Sequence, residues 1–157
     1  VWVGGKDKKI KNFFFDSLGK IVDKKYENDL SVANDKMASL SLIAAKSNIN
    51  FKTNYNNFKL VRIVIKNLTN EIEKIQPHFG TFVEIDINNI EELNKIISKK
   101  LQTITYFGID DKILKNSIIK QGSPGVDRIV PIGRALDMGV IWDGYDVIQA
   151  LSRTIGR

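Results

Sequence analysis

The sequence predicts an α/β protein, a mixed sheet covered by helices. Three observations predict it. From residue 58 onward, short apolar runs alternate with helix-period segments, the pattern of strands separated by covering helices. The run "FKLVRIVIK" (58–66) is nearly continuous in hydrophobicity and rich in β-branched residues, as a strand covered on both faces is. Helix N-cap residues, namely Asp7, Asn89, Asp110 and Asp146, stand just before apolar-periodic segments, where their side-chain oxygens can accept the unpaired backbone N–H groups of a first turn.

Taken in order, "VWV" reads as a short strand and "GGKD" as a turn. Over residues 8 to 26, Ile10, Phe14, Leu18 and Val22 recur at i, i+4 spacing beside Phe13 and Ile21, which predicts an amphipathic helix. Three consecutive Phe, 13 to 15, make it apolar on more than one face, so it is expected to be sandwiched. A second helix is expected over about 31 to 46, with Val32, Met37, Leu40, Ile43 and Ala44 as its apolar residues. The Asn-rich stretch 47 to 57 reads as a loop or weak hairpin. "TFVEIDI" (81–87) sets Val83, Ile85 and Ile87 against Glu84 and Asp86, which predicts a half-exposed strand. A helix capped by Asn89 follows, with Ile90, Leu93 and Ile97 on one stripe. "QTITYFGI" is a further strand. A helix capped by Asp110 ends at Gly122. "DRIVPI" is the last long strand, and its Pro131 argues for an edge or a strand end. Asp146 caps a final helix whose Val147, Ile148, Leu151 and Ile155 share a face. No internal repeat is visible.

Totals narrow the function classes. The chain has 157 residues, a net charge of +6, no Cys and one His, with 43% hydrophobic and 27% charged residues. That is enough for one core, as a domain or a large piece of one. Without Cys there is no disulfide, thiolate metal site or cysteine nucleophile. No apolar run approaches the roughly 18 residues of a membrane span, and the first residues lack the apolar segment of a signal peptide; a cytoplasmic location is expected. Lys is dispersed among Asn and Ile, with no nucleic-acid-binding motif, so the basic charge reads as solvated helix faces. His78 is a lone histidine and cannot build a zinc site without Cys or a second His, although carboxylates could contribute. There is no G-x-S-x-G elbow, P-loop lysine motif or G-x-G-x-x-G. Glu91 and Glu92 sit at a helix start, where they suit the macrodipole.

The stretch "DRIVPIGRALDMGVIWDGYD" (127–146) carries what chemistry the chain offers. A strand delivers a Gly-containing loop at its end, the place where ligands gather in open α/β sheets. Gly133 and Gly139 permit backbone angles that other residues resist, and Asp143-Gly144 is turn chemistry. Composition and periodicity reach no further.

The residues themselves resemble a family. "DKMASLSLIAA" (35–45), "LQTITYFGI" (101–109) and "GVDRIVPIGRALDMGVIWDGYDVIQALSR" (125–153) resemble the C-terminal part of the LuxC-type long-chain fatty acyl-CoA reductases. This family supplies the reductase component of luminescent systems and belongs to the aldehyde dehydrogenase superfamily. The resemblance implies the C-terminal part of an aldehyde dehydrogenase-like fold over 1–157. It also implies reduction of a fatty acyl-CoA thioester to the aldehyde by NADPH through an acyl-cysteine. The nucleophile would lie just upstream of "VWVGG" and the cofactor site further upstream, which accords with a sequence beginning at Val1; this chain would then hold no catalytic residue and be inactive alone. "PHFGT" (77–81) is similar to the family's E-x-F-G-P motif, so Phe79 and Gly80, with His78 as a substitute, become cofactor-side candidates; Pro77 stands at the Glu position. "PIG" (131–133) is similar to the Pro-x-Gly turn at the substrate entrance. Pro131 to Asp146 is therefore expected to line the acyl channel, with Gly133 in its turn, Asp143 at its tip and Trp142 and Tyr145 as walls. Arg128 and Arg134 are expected either to meet CoA phosphates or to hold the loop through Asp127 or Asp137. Expected partners are fatty acyl-CoA, the N-terminal portion of the same protein and a second copy in a homo-oligomer, with no nucleic acid and no membrane span. The alternatives are another aldehyde or semialdehyde dehydrogenase, or a free-standing oligomerisation module in which "TFVEIDI" pairs by edge addition.

Overall fold

The computed structural model describes residues 1–5, 7–27, 29–46, 59–66, 80–153 and 155. The stretch 47–57, Pro77, His78 and Phe79 lie outside them. The chain divides into two compact units, Val1–Ile96 and Ile97–Arg157. Both combine helices with short strands, paired in parallel in the first unit and both in parallel and antiparallel in the second, an α/β composition as the sequence predicts.

The first unit contains β1 (Trp2–Val3), α1 (Lys8–Lys25), α2 (Leu30–Lys46), β2 (Val61–Val64), β3 (Thr81–Glu84), β4 (Asp86–Ile87) and a 3-10 helix, Ile90–Lys95. β2 pairs in parallel with β3 and β1 in parallel with β4. The Ile65 N–H donates to the Glu84 carbonyl and the Trp2 N–H to the Ile85 carbonyl, each at 2.8–2.9 Å. Successive carbonyls of an extended chain point to opposite sides, so residues 81–87 form an inner strand between β1 and β2. The free edge that pairing by edge addition requires is therefore largely taken.

The double burial expected of residues 58–66 holds over the residues described. Val61 and Ile63 are fully buried, and with Ile65 and Ile85 they form a core on which Leu40 and Ile43 of α2 pack. Helix α1 starts as expected, the Asp7 carboxylate accepting from the Lys9 N–H at 2.8 Å, and packs through Phe14, Phe15 and Leu18. It is not sandwiched, because Phe13 and Ile10 on its other face are exposed. The inner face of α2 is Val32, Ala33, Lys36, Leu40 and Ile43, whereas Met37 and Ala44 face outward. The helix expected after Asn89 forms as a 3-10 helix. The Asn94 side-chain amide donates to the Glu91 carbonyl at 3.1 Å, occupying the acceptor that an α-helical Lys95 N–H would use.

The second unit contains β5 (Thr103–Tyr106), α3 (Asp111–Gln121), β6 (Arg128–Pro131), β7 (Ile141–Trp142), β8 (Tyr145–Asp146) and α4 (Val147–Leu151). α3 is capped by Asp110 and closed by Gly122 in the left-handed conformation, as read from the sequence, and buries Leu114 and Ile118. β5 and β6 are parallel, and β6 ends at Pro131. α4 is shorter than predicted: Ile148 and Leu151 on it and Ile155 beyond it are exposed. Among the described residues no helix is long and apolar enough to cross a membrane.

Candidate functional site

The loop 131–146 is built from β6 outward. Gly125 and Val126 both have positive φ, a costly conformation for a β-branched residue. It is held because the Val126 N–H donates to the Leu101 carbonyl at 2.7 Å, and the Asp127 and Arg128 N–H groups both donate to Gln102. β6 then runs into a turn in which the Arg134 N–H donates to the Pro131 carbonyl at 3.1 Å. Gly133 occupies its third position with φ of 91°, as a type II turn requires. Further on, β7 and β8 form a two-residue hairpin with Asp143 and Gly144 at its tip, both at positive φ, the type I′ geometry that matches strand twist. The sequence predicts the turn; the two-residue strands flanking it are too short to leave a pattern.

Arg128 ties these pieces together. Its guanidinium donates to the Ala135 carbonyl at 2.8 Å and the Asp137 carbonyl at 2.7 Å, and lies 4.7 Å from the Trp142 ring centroid as a cation–π pair. Of the two roles open to it, the structure places Arg128 as the loop's clamp, through main-chain oxygens and not through Asp127 or Asp137 carboxylates. Arg134 does pair with the Asp137 carboxylate, at 2.6 Å, on the open surface. The Asp127 carboxylate instead lies under the hairpin tip, where a Cβ on Gly144 would come within 2.9 Å of it. Trp142 is half-buried under Arg128, and Tyr145 is exposed. Within the loop Leu136 and Met138 are 89% and 84% exposed, and Val140 and Ile141 are exposed as well.

In the first unit sequence reasoning missed a buried polar cluster. Arg62 and Glu84, only 9% and 5% exposed, form a bidentate pair, Nε to Oε1 at 2.6 Å and the second guanidinium nitrogen to Oε2 at 3.1 Å. The Trp2 indole N–H donates to Glu84 Oε2 at 3.0 Å, and Arg62 donates to the Asn12 side-chain oxygen. The guanidinium stacks 3.9 Å from the Phe15 ring centroid, inside a chain of edge-to-face contacts linking Trp2, Phe14, Phe15 and Phe82. Glu84 is thus not on a solvent face. The signal that could have found it is Arg62, a cation inside an otherwise apolar run that needs a buried acceptor.

Lys36 is the second missed residue. It is 3% exposed on the inner face of α2, and its ammonium donates to the Lys59 carbonyl at 3.2 Å. Burial pushes its pKa below the ordinary 10.5. Between that lowered value and 10.5 the unfolded chain binds more protons than the folded one, so this group makes stability rise with pH across the window. Thermal melting followed from neutral pH to about 10.5 should show that rise in the wild type and a flatter profile in Lys36→Met.

Gly80 is accounted for by packing: φ is +68°, and a Cβ there would collide with the Lys59 carbonyl oxygen. The strand-Gly-Gly-helix entry to α1 has its N-terminus filled by the Asp7 carboxylate, which disfavours a phosphate in the same place. Among the described residues no group of three or more His, Asp or Glu is placed to hold a metal ion. The chain matches no protein-family model, and comparison with curated proteins and with solved structures finds no match.

Proposed function

We propose that this chain is the C-terminal part of an acyl-CoA reductase of the LuxC type, with an aldehyde dehydrogenase-like fold, and that loop 131–146 borders the acyl-binding site. One observation carries the reading: the segment of closest resemblance folds into a single clamped loop that presents apolar side chains at the end of a parallel strand. An acyl chain laid on Leu136, Met138, Val140 and Ile141 would be shielded from water, and such shielding protects a thioester intermediate from hydrolysis. Arg134, whose pair with Asp137 is solvent-exposed and therefore worth little, is the cation able to turn toward a CoA phosphate. Arg128 is a positioning residue. The nucleophilic cysteine and the NADPH site belong to polypeptide outside the described residues.

The test is the complete protein, assayed for aldehyde from acyl-CoA and NADPH. Activity with aldehyde and NAD(P)⁺ but without CoA would favour a different dehydrogenase. In the active protein Arg128→Lys should lower kcat/KM at least about tenfold, because an ammonium cannot span two carbonyls and stack on an indole together; Arg134→Lys should leave kcat within about threefold, since it keeps the charge of an exposed pair. The exposed Leu136, Leu151 and Ile155 also favour a second reading, an association module. Light scattering separates the two: self-association of a complete protein without reductase activity would support the module.

A further inference from the structure

A cavity of about 510 Å³ lies in the first unit between α1, α2 and the start of β3, within the roughly 300–1,000 Å³ range of small-ligand sites. Among the described residues its wall is mainly apolar, with Leu18, Ile21 and Val22 from α1, Leu30 and Val32 from α2, and Phe82. Lys36 and Gly80 line it together, and the Lys36 Nζ would lie 3.5 Å from a Cβ on Gly80. The ammonium therefore sits beside Gly80, where the Lys59 carbonyl oxygen that it bonds occupies the position a Gly80 Cβ would take. Lys25 and Lys59, the latter with the carbonyl that receives the Lys36 donor, add two further cations to the lining. Glu27 and Asp29 also line the cavity, and their charge opposes a polyanion such as a nucleotide phosphate chain.

We propose that this cavity binds a compact apolar monoanion, a carboxylate whose hydrocarbon body packs on Leu18, Val22 and Phe82 and whose head lies against Lys36. An apolar wall with one buried ammonium matches that class: the body gains from leaving water, and the head makes a charge-assisted hydrogen bond in a site of low dielectric. A neutral analogue keeps the first gain and loses the second. A cationic analogue meets like charge. The inference stands apart from the reading of loop 131–146 and does not depend on it.

Isothermal titration calorimetry of the chain with octanoate, octanol and octyltrimethylammonium tests it. Octanoate should bind at least about tenfold more tightly than octanol, the equivalent of one charge-assisted hydrogen bond, and the cation should not bind. Lys36→Met should bring octanoate down to the level of octanol, and Ala33→Phe, which fills the cavity, should weaken both. Equal binding of octanoate and octanol to the unaltered chain, or no binding of either, overturns the proposal whether or not the variants fold. Undiminished octanoate binding by a folded Lys36→Met also overturns it.

Discussion

Glu84→Ala is expected to destabilise the chain by about 3–5 kcal/mol, because it leaves the Arg62 guanidinium charged and buried without its carboxylate. The carboxylate accepts two bonds from Arg62 and one from the Trp2 indole, and the site is closed by Phe15 on the guanidinium face. Among the described residues the other side-chain acceptor for Arg62 is Asn12, which offers a single amide oxygen at 3.3 Å. Replacing both charges, as Arg62→Met with Glu84→Leu, should restore most of the loss, since well-packed apolar pairs often match buried ion pairs. What remains is the orphaned indole N–H, about 1–3 kcal/mol. Urea denaturation followed by far-UV circular dichroism checks both variants. A Glu84→Ala protein within about 1 kcal/mol of wild type, less than the usual cost of an unpaired buried charge, would show that the pair contributes no more than a surface bridge.

Gly80→Ala is expected to cost about 3 kcal/mol or more, combining a left-handed backbone with a forced shift of neighbouring main chain. Its φ is +68°, and the new methyl would run into the Lys59 carbonyl oxygen, one residue from the bridge at Leu60 that leads into β2. Backbone cannot move aside as a flexible side chain can, and here its movement would also disturb the Val61 N–H, which donates to the Gly80 carbonyl at 2.9 Å. Two other glycines bracket the effect. Gly122 has a positive φ but open space around its Cβ position, so Gly122→Ala should cost only about 1 kcal/mol. Gly19 lies inside α1 with ordinary backbone angles and nothing within 4 Å, so Gly19→Ala should stabilise by up to about 1 kcal/mol through helix propensity. The order Gly80, Gly122, Gly19 in thermal melting is the expected result; a Gly80→Ala melt equal to that of Gly122→Ala would remove the steric argument.

Much of the secondary structure was legible because its causes are local. Asp7, Asn89, Asp110 and Asp146 each accept a backbone N–H within the next three residues, and capping needs only that neighbourhood. Pro131 stands at the end of β6, as its missing N–H suggested, and the turn closed by the Arg134 N–H on the Pro131 carbonyl follows it. The burial of Val61 and Ile63 was legible from an unbroken β-branched run. What escaped depends on partners far along the chain. The alternation in 81–87 treats every charge as outward-facing, but Glu84 turns inward because Arg62, 22 residues earlier, meets it across the β2–β3 pair. Lys36 lies on the buried face of α2, with its acceptor 23 residues away at Lys59. The clamp at Arg128 was half legible: the sequence offers the residue and the loop, and only the fold shows that main-chain oxygens and Trp142 receive it.

Loop 131–146 is the element on which the functional reading stands, and hydrogen–deuterium exchange on the complete protein, with and without a saturating acyl-CoA, addresses it directly. Slower exchange of backbone amides in 131–146 on binding, reduced in Arg128→Lys, is the predicted result. Unchanged exchange across 131–146 while acyl-CoA is bound, with protection confined to other parts of the protein, would contradict it.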